Sequence, residues 1–214
     1  METERLHGLR RAKALRLFTM KTLKTANPDL FDSLRKAYSA ERAASFAYIG
    51  HAAALRDPAE KEAIKRIEED EWDHRREVLK IMEQHEVPIN RWYEIKYWWI
   101  GKMIGLSCHL IGRFMPYFFA GKLESGNVCE YFIMLRQFRE LGITDHDEVL
   151  YEMGVREKDH EVHFQKVIEG EPWLPLFERV FNWGAETTLN DVDYDDLRPV
   201  AEGDQYCVNY KQKT

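Results

Sequence analysis

Apolar residues along this chain return at steps of three and four, and the every-second-residue alternation of strands is scarce. That period predicts amphipathic helices packed on one another and no sheet. Turn chemistry divides the pattern. A basic segment over 4–25 carries Leu6, Leu9, Leu17, Phe18 and Met20 as its apolar content, and Asn27-Pro28-Asp29 closes it. A long helix follows over about 29–56. Arg56-Asp57-Pro58 makes a turn in which Asp57 is a natural N-cap and Pro58 takes the first helical position. The second long helix runs to about Glu86 and stops before Pro88. A third segment, about 91–113, is dense in aromatics (Trp92, Tyr93, Tyr97, Trp98, Trp99), and Pro116 breaks it. A fourth helix is expected over about 117–141, ending at Gly142. Thr144 or Asp145 caps a fifth that reaches about Glu169, and 174–188 reads as a short sixth.

Four of these helices are long enough to build a bundle. The expected fold is therefore all-α: a ferritin-like four-helix bundle with an additional N-terminal helix and a hydrophobic connecting segment between its halves. The chain divides into a basic amphipathic helix over 1–28, the bundle over 29–169 with its connection at 88–117, and a short helix with an acidic tail over 170–214.

The polar positions inside the apolar stripes change the picture. Steps of three and four along the first long helix give Leu34, Tyr38, Glu41, Ser45, Tyr48, Ala52 and Leu55. The second gives Ile64, Ile67, Glu71, His74, Val78 and Ile81; the fourth, Leu123, Asn127, Glu130, Ile133, Gln137 and Leu141; the fifth, Leu150, Met153, Glu157, His160, Phe164 and Val167. Each stripe has a carboxylate near its middle, and two carry Glu-x-x-His, which places both ligand types on one face a turn apart. Glu41 precedes Glu71 by 30 residues and Glu130 precedes Glu157 by 27, so the arrangement repeats. Glu4-Arg5-Leu6-His7 also matches Glu-x-x-His but has no partner upstream, and reads as chance.

Four carboxylates and two imidazoles at the centre of a bundle match the ligand scheme of ferritin-like di-iron and di-manganese proteins. Oxygen and imidazole donors suit iron or manganese. The metal ligands expected are Glu41, Glu71, His74, Glu130, Glu157 and His160, holding two Fe ions or two Mn ions. A ligating histidine needs a partner on its other ring nitrogen, and Asp70 is placed to reach His160 across the bundle. Tyr38 and Tyr48 flank Glu41 as hydrogen-bond donors, redox participants or core aromatics.

Composition limits the rest. The 214 residues are 44% hydrophobic and 32% charged, as in an ordinary globular protein. A net charge of −6 gives no reason to expect nucleic acid. Cys108, Cys129 and Cys207 form no CxxC pair, which points to a reducing, cytoplasmic setting and away from a thiolate metal site. The opening residues do not read as a signal peptide. The stretch Trp98–Phe119 is interrupted by Lys102, Arg113 and Pro116, so no membrane span is expected. The basic helix over 1–25 and the aromatic segment over 91–119 leave two readings open: peripheral contact with a membrane, or packing in the bundle or a homo-oligomer interface.

The stretch "LRKAYSAERAASFAYIGHAAAL", 34–55, resembles the first motif of the demethoxyubiquinone hydroxylases, ferritin-like di-iron enzymes of coenzyme Q biosynthesis. "EDEWDH" (69–74), "CEYFI" (129–133) and "REKDHEVHF" (156–164) stand where that family's other motifs stand, and the similarity spans about 30–168. The family carries a His-Tyr pair six and seven residues after its third Glu; counted from Glu130, those positions are Arg136 and Gln137. The resemblance implies a monooxygenase that activates O2 to hydroxylate a small apolar substrate of quinone or lipid-like kind. It implies Glu71 and Glu157 as bridging carboxylates, with Tyr48 beside them in the catalytic machinery. No flavin or nicotinamide fingerprint is present, so an external electron donor is required. Two other functions fit the same ligands less well: a rubrerythrin- or ferritin-like peroxidase or ferroxidase, and a non-catalytic helical interaction protein.

Overall fold

A computed structural model describes residues 23–184. The basic N-terminal helix expected over 1–25 lies outside the described residues except for its last turn, as do Glu4–His7, Cys207 and the acidic tail beyond 184. The described residues form an all-α bundle without a strand. Its helices are α1 (Pro28–Ala54), α2 (Pro58–Gln84), α3 (Arg91–Ser107), α4 (Phe114–Glu140), α5 (Asp147–Ile168) and α6 (Leu174–Phe181).

Local chemistry sets the boundaries. Asn27 Oδ1 accepts from the Leu30 amide at 2.9 Å, with Pro28 opening α1. Asp57 Oδ1 accepts from the amides of Ala59 and Glu60 at 2.8 and 2.9 Å, with Pro58 behind it, as the sequence predicts. Asn90 caps α3 in the same way. Pro116 does not break the chain. It sits in the first turn of α4, where a missing N–H costs no helical hydrogen bond. α5 begins at Asp147, with His146 rather than Thr144 or Asp145 at the cap position. Gly142, at φ +74°, turns the chain between α4 and α5.

α1 pairs with α2 and α4 with α5, while α3 lies along the outside of α1. α3 sits close because glycines face it: a Cβ added at Gly101 would meet the Ala43 backbone, and one at Gly50 would meet Gly105. Glu94 of α3 accepts from Ser39 Oγ at 2.8 Å and from Arg75 at 2.8 and 3.1 Å, and pairs with Arg42 at 3.0 Å.

The interior has three layers. One apolar layer gathers Leu30, Leu34, Val78, Met134, Leu135 and Leu150 among others; the second gathers Tyr48, Ile64, Ile67, Tyr117, Phe118 and Phe164. Between them lies a polar layer. Burying each large apolar side chain contributes roughly 1.5–3 kcal/mol, and these layers hold the polar one in place.

Candidate metal centre

The middle layer brings together Glu41 from α1, Glu71 and His74 from α2, Glu124 from α4, and Glu157 and His160 from α5. None is more than 4% exposed. They form two overlapping groups, Glu41–Glu71–His74–Glu157 and Glu71–Glu124–Glu157–His160, each with ligand atoms within 4.8 Å of one another. Glu71 and Glu157 belong to both groups.

Five of the six ligands expected from sequence meet here. Glu130 does not. It lies on an exposed face of α4, and Glu124, six residues earlier, takes the inward place. Glu41 is followed seven residues later by Tyr48, and Glu124 is followed seven residues later by Tyr131. The two tyrosines cross over: Tyr48 donates to Glu124 Oε1, and Tyr131 donates to Glu41 Oε1. The repeat is Glu-x6-Tyr in α1 and α4, with each tyrosine serving the other helix's carboxylate. Glu130 has Gln137 at that distance, so the sequence did carry a signal for Glu124.

The atoms that face the centre lack hydrogen-bond partners. Both oxygens of Glu71, Oε2 of Glu41, Oε1 of Glu157, both ring nitrogens of His74 and Nδ1 of His160 are buried without one. They are nevertheless close. His74 Nδ1 lies 2.9 Å from Glu157 Oε1, and His160 Nδ1 lies 3.4 Å from Glu71 Oε1, without hydrogen-bond geometry. Donors held at about 2.1 Å from one cation sit about 3 Å apart at right angles, which is the spacing seen. Unpartnered carboxylate oxygens and imidazole nitrogens converging at this spacing fit divalent metal.

The outer contacts are unequal. His160 Nε2 lies 3.1 Å from Asp70 Oδ2, the partner expected from the sequence, and Arg156 anchors Asp70 from the other side at 2.6 Å. Arg156 precedes Glu157 as Asp70 precedes Glu71, so the matching position beside His74 has no carboxylate. Asn127 Nδ2 donates to Glu124 Oε2 at 2.8 Å. Tyr38 is not at the centre. Its ring packs in the first apolar layer under the Arg75 guanidinium at 3.7 Å.

Burial, then the charges of Glu71 and Glu157, pushes Glu41 well above the usual carboxylate range. Burial and Glu157 do the same to Glu124. Against burial, Glu157 raises His74, and Asp70 on one ring nitrogen with the Glu157 and Glu71 carboxylates near the other raises His160 well above its ordinary value. Glu157 is held well below its ordinary value, although burial opposes this, by His74 and His160. Metal binding at such a site releases protons.

Comparison of the chain with family models, curated proteins and solved structures returns no match. The buried Glu/His groups can hold metal ions. No helix among the described residues is long and apolar enough to cross a membrane.

Beside the centre lies an apolar cavity of about 420 Å³ between α1, α3 and α4. Glu41, Glu124, Tyr48 and Asn127 form part of its wall; the rest is largely Ala43, Ala44, Ala47, Ile100, Ile104, Met115, Phe119 and Leu123. An alternative space of about 390 Å³ by His74 is lined by Asp73, Glu77, Asp145, Glu148 and Glu152, which suits solvent and ions rather than an organic substrate.

Proposed function

We propose that the chain is a di-iron oxygenase of the hydroxylase type that acts on an apolar substrate. The observation that carries this is the meeting of two features: a buried set of four carboxylates and two histidines with bare donor atoms, and an apolar cavity whose wall includes two of those carboxylates. A storage or ferroxidase site needs no organic cavity against its ligands.

Glu41, Glu71, His74, Glu124, Glu157 and His160 would hold the two ions. Two iron ions held there in the reduced state would supply two electrons to O2. In hydroxylation one oxygen atom enters a C–H bond, which gives up the other two electrons, and the second oxygen leaves as water; an external donor therefore returns one pair of electrons, with two protons, per turnover. The chain's own part is to fix ligand geometry through Asp70, Tyr48 and Tyr131, to exclude water with the two apolar layers, and to seat the substrate. Tyr131, counted seven residues from Glu124, also supports kinship with the demethoxyubiquinone hydroxylases. It supplies the tyrosine of that family's His-Tyr pair, while Glu130 stands in place of the histidine.

The outer face of α3 exposes Trp92, Ile95, Trp99, Met103 and Leu106, with Arg91, Lys96 and Lys102 among them. Aromatic and basic residues so mixed suit a bilayer interface. Through this face a membrane-dissolved substrate would approach the cavity behind α3. Co-sedimentation with anionic vesicles, lost in Trp92→Ser/Trp99→Ser, checks this; equal binding by that variant rules the face out.

The catalytic reading is tested by reoxidising the diferrous protein rapidly with O2 and, separately, with H2O2. An oxygenase reacts faster with O2. Much faster reaction with peroxide would replace this reading with a rubrerythrin-like peroxidase.

A further inference from the structure

One polar ring in the wall of the 420 Å³ cavity belongs neither to the metal cluster nor to an ion pair. His51 lines the cavity and is 3% exposed. Its Nε2 is buried without a hydrogen-bond partner. The Tyr117 ring packs against it in a T-shaped pair at a centroid distance of 4.6 Å. A buried polar nitrogen left unpaired costs stability, and native structures tolerate few such groups without a reason. A residue that lines the cavity away from its carboxylate end, with a ring nitrogen free to take one hydrogen bond, has the character of a ligand anchor.

The charge state narrows the partner. Burial, against Glu60 and with Arg113 and His163, lowers His51 to about 4. The ring is thus neutral near pH 7 and gives no advantage to a carboxylate or phosphate. Its place narrows the partner further. His51 follows Tyr48 by three residues on α1, about 4.5 Å along the helix axis, and Tyr48 is bonded to Glu124. The anchor is therefore one turn beyond a tyrosine that itself only touches the cluster, and along α1 it lies ten residues, about 15 Å, from the ligand Glu41.

We propose that His51 anchors the substrate, and that the cavity takes an apolar molecule with one neutral hydroxyl or carbonyl group set well back from the carbon presented to the metal centre. This rests on the oxygenase reading for the identity of the reacting end. It does not rest on it for binding.

The test is equilibrium binding of naphthalene, 1-naphthol and 1-tetralone to the full chain, with iron content and melting temperature measured on the same samples. The wild type should bind 1-naphthol or 1-tetralone about tenfold more tightly than naphthalene, the scale of one net hydrogen bond. The preferred probe tells hydroxyl from carbonyl. His51→Leu should bind all three alike, with naphthalene affinity unchanged and the melting temperature unchanged or higher. His51→Gln, which keeps a donor and an acceptor, should retain most of the preference. A preference that survives in His51→Leu, or none in the wild type, overturns the proposal. So does loss of all three probes together with a lower melting temperature, which assigns the ring to packing. A wild type that keeps the His51-dependent preference yet takes up no iron refutes the oxygenase reading and leaves the anchor standing.

Discussion

Two fully buried carboxylates stand one turn apart on α5 and are treated in opposite ways. Glu161 is closed off: Lys158 Nζ lies 3.1 Å from one oxygen, and Trp183 Nε1 donates to the other at 2.8 Å. Glu157 has no ion pair to a lysine or arginine among the described residues: its chain neighbours Arg156 and Lys158 go to Asp70 and Glu161. Its neighbours are Glu71, Glu124 and two histidines, and its Oε1 has no hydrogen-bond partner. Glu94 repeats the first treatment with Ser39, Arg42 and Arg75. Where a buried carboxylate serves the fold, this chain supplies a cation and a donor from its own side chains. At the middle layer it supplies neutral donors, Tyr48, Tyr131 and Asn127, but no lysine or arginine among the described residues, and the missing positive charge is what a pair of divalent ions would provide.

That contrast can be broken most directly by stability. In metal-free protein, Glu161→Leu should cost about 3–5 kcal/mol, because it strands a buried ammonium. Glu71→Leu should cost little or stabilise, because it removes unpaired oxygens from a group of like charges. Urea unfolding of both variants measures the difference; equal losses would mean that Glu71 is as structural as Glu161.

The unequal histidines sharpen the contrast at a smaller scale. Asp70→Asn should weaken metal binding about 10- to 100-fold, the usual effect of losing the carboxylate that orients a ligating histidine. Competition with a chelator reads it, and an unchanged constant would make the 3.1 Å contact with His160 incidental.

The smallest effect concerns acid. Burial lowers His51 from 6.5 to about 4, and lowers His85 and His146 in the same direction. A histidine kept neutral by burial binds fewer protons folded than unfolded. Its contribution to stability therefore holds above pH 6.5 and is lost as pH falls toward 4. His51→Leu should flatten the pH–stability curve in that window, and an unaltered slope in thermal melts would contradict the burial of the ring.

Much of this was legible in the sequence, for physical reasons. The caps at Asn27, Asp57 and Asn90 are short-range chemistry and lie where the residue types put them. α2 and α5 are amphipathic enough that Glu71, His74, Glu157 and His160 fall on one unambiguous stripe. α4 is different. It is covered on several sides, its buried set runs from Pro116 to Phe138 around most of the helix, and apolarity alone does not select a face. Leu123 suggested the wrong stripe because it borders the cavity while 58% exposed. Only the Glu-x6-Tyr repeat distinguishes Glu124 from Glu130. His51 was missed because nothing local marks it: its role comes from the cavity formed when α3 and α4 close over α1.

Metal content tests the central claim most directly. After anaerobic reconstitution with ferrous iron and desalting, elemental analysis should find about two iron atoms per chain, by the ligand count. Glu130→Ala should match the wild type, while Glu124→Ala should hold fewer than two. A folded wild type that takes up no iron, or a Glu124→Ala protein that fills like the wild type while Glu130→Ala does not, would contradict the centre described.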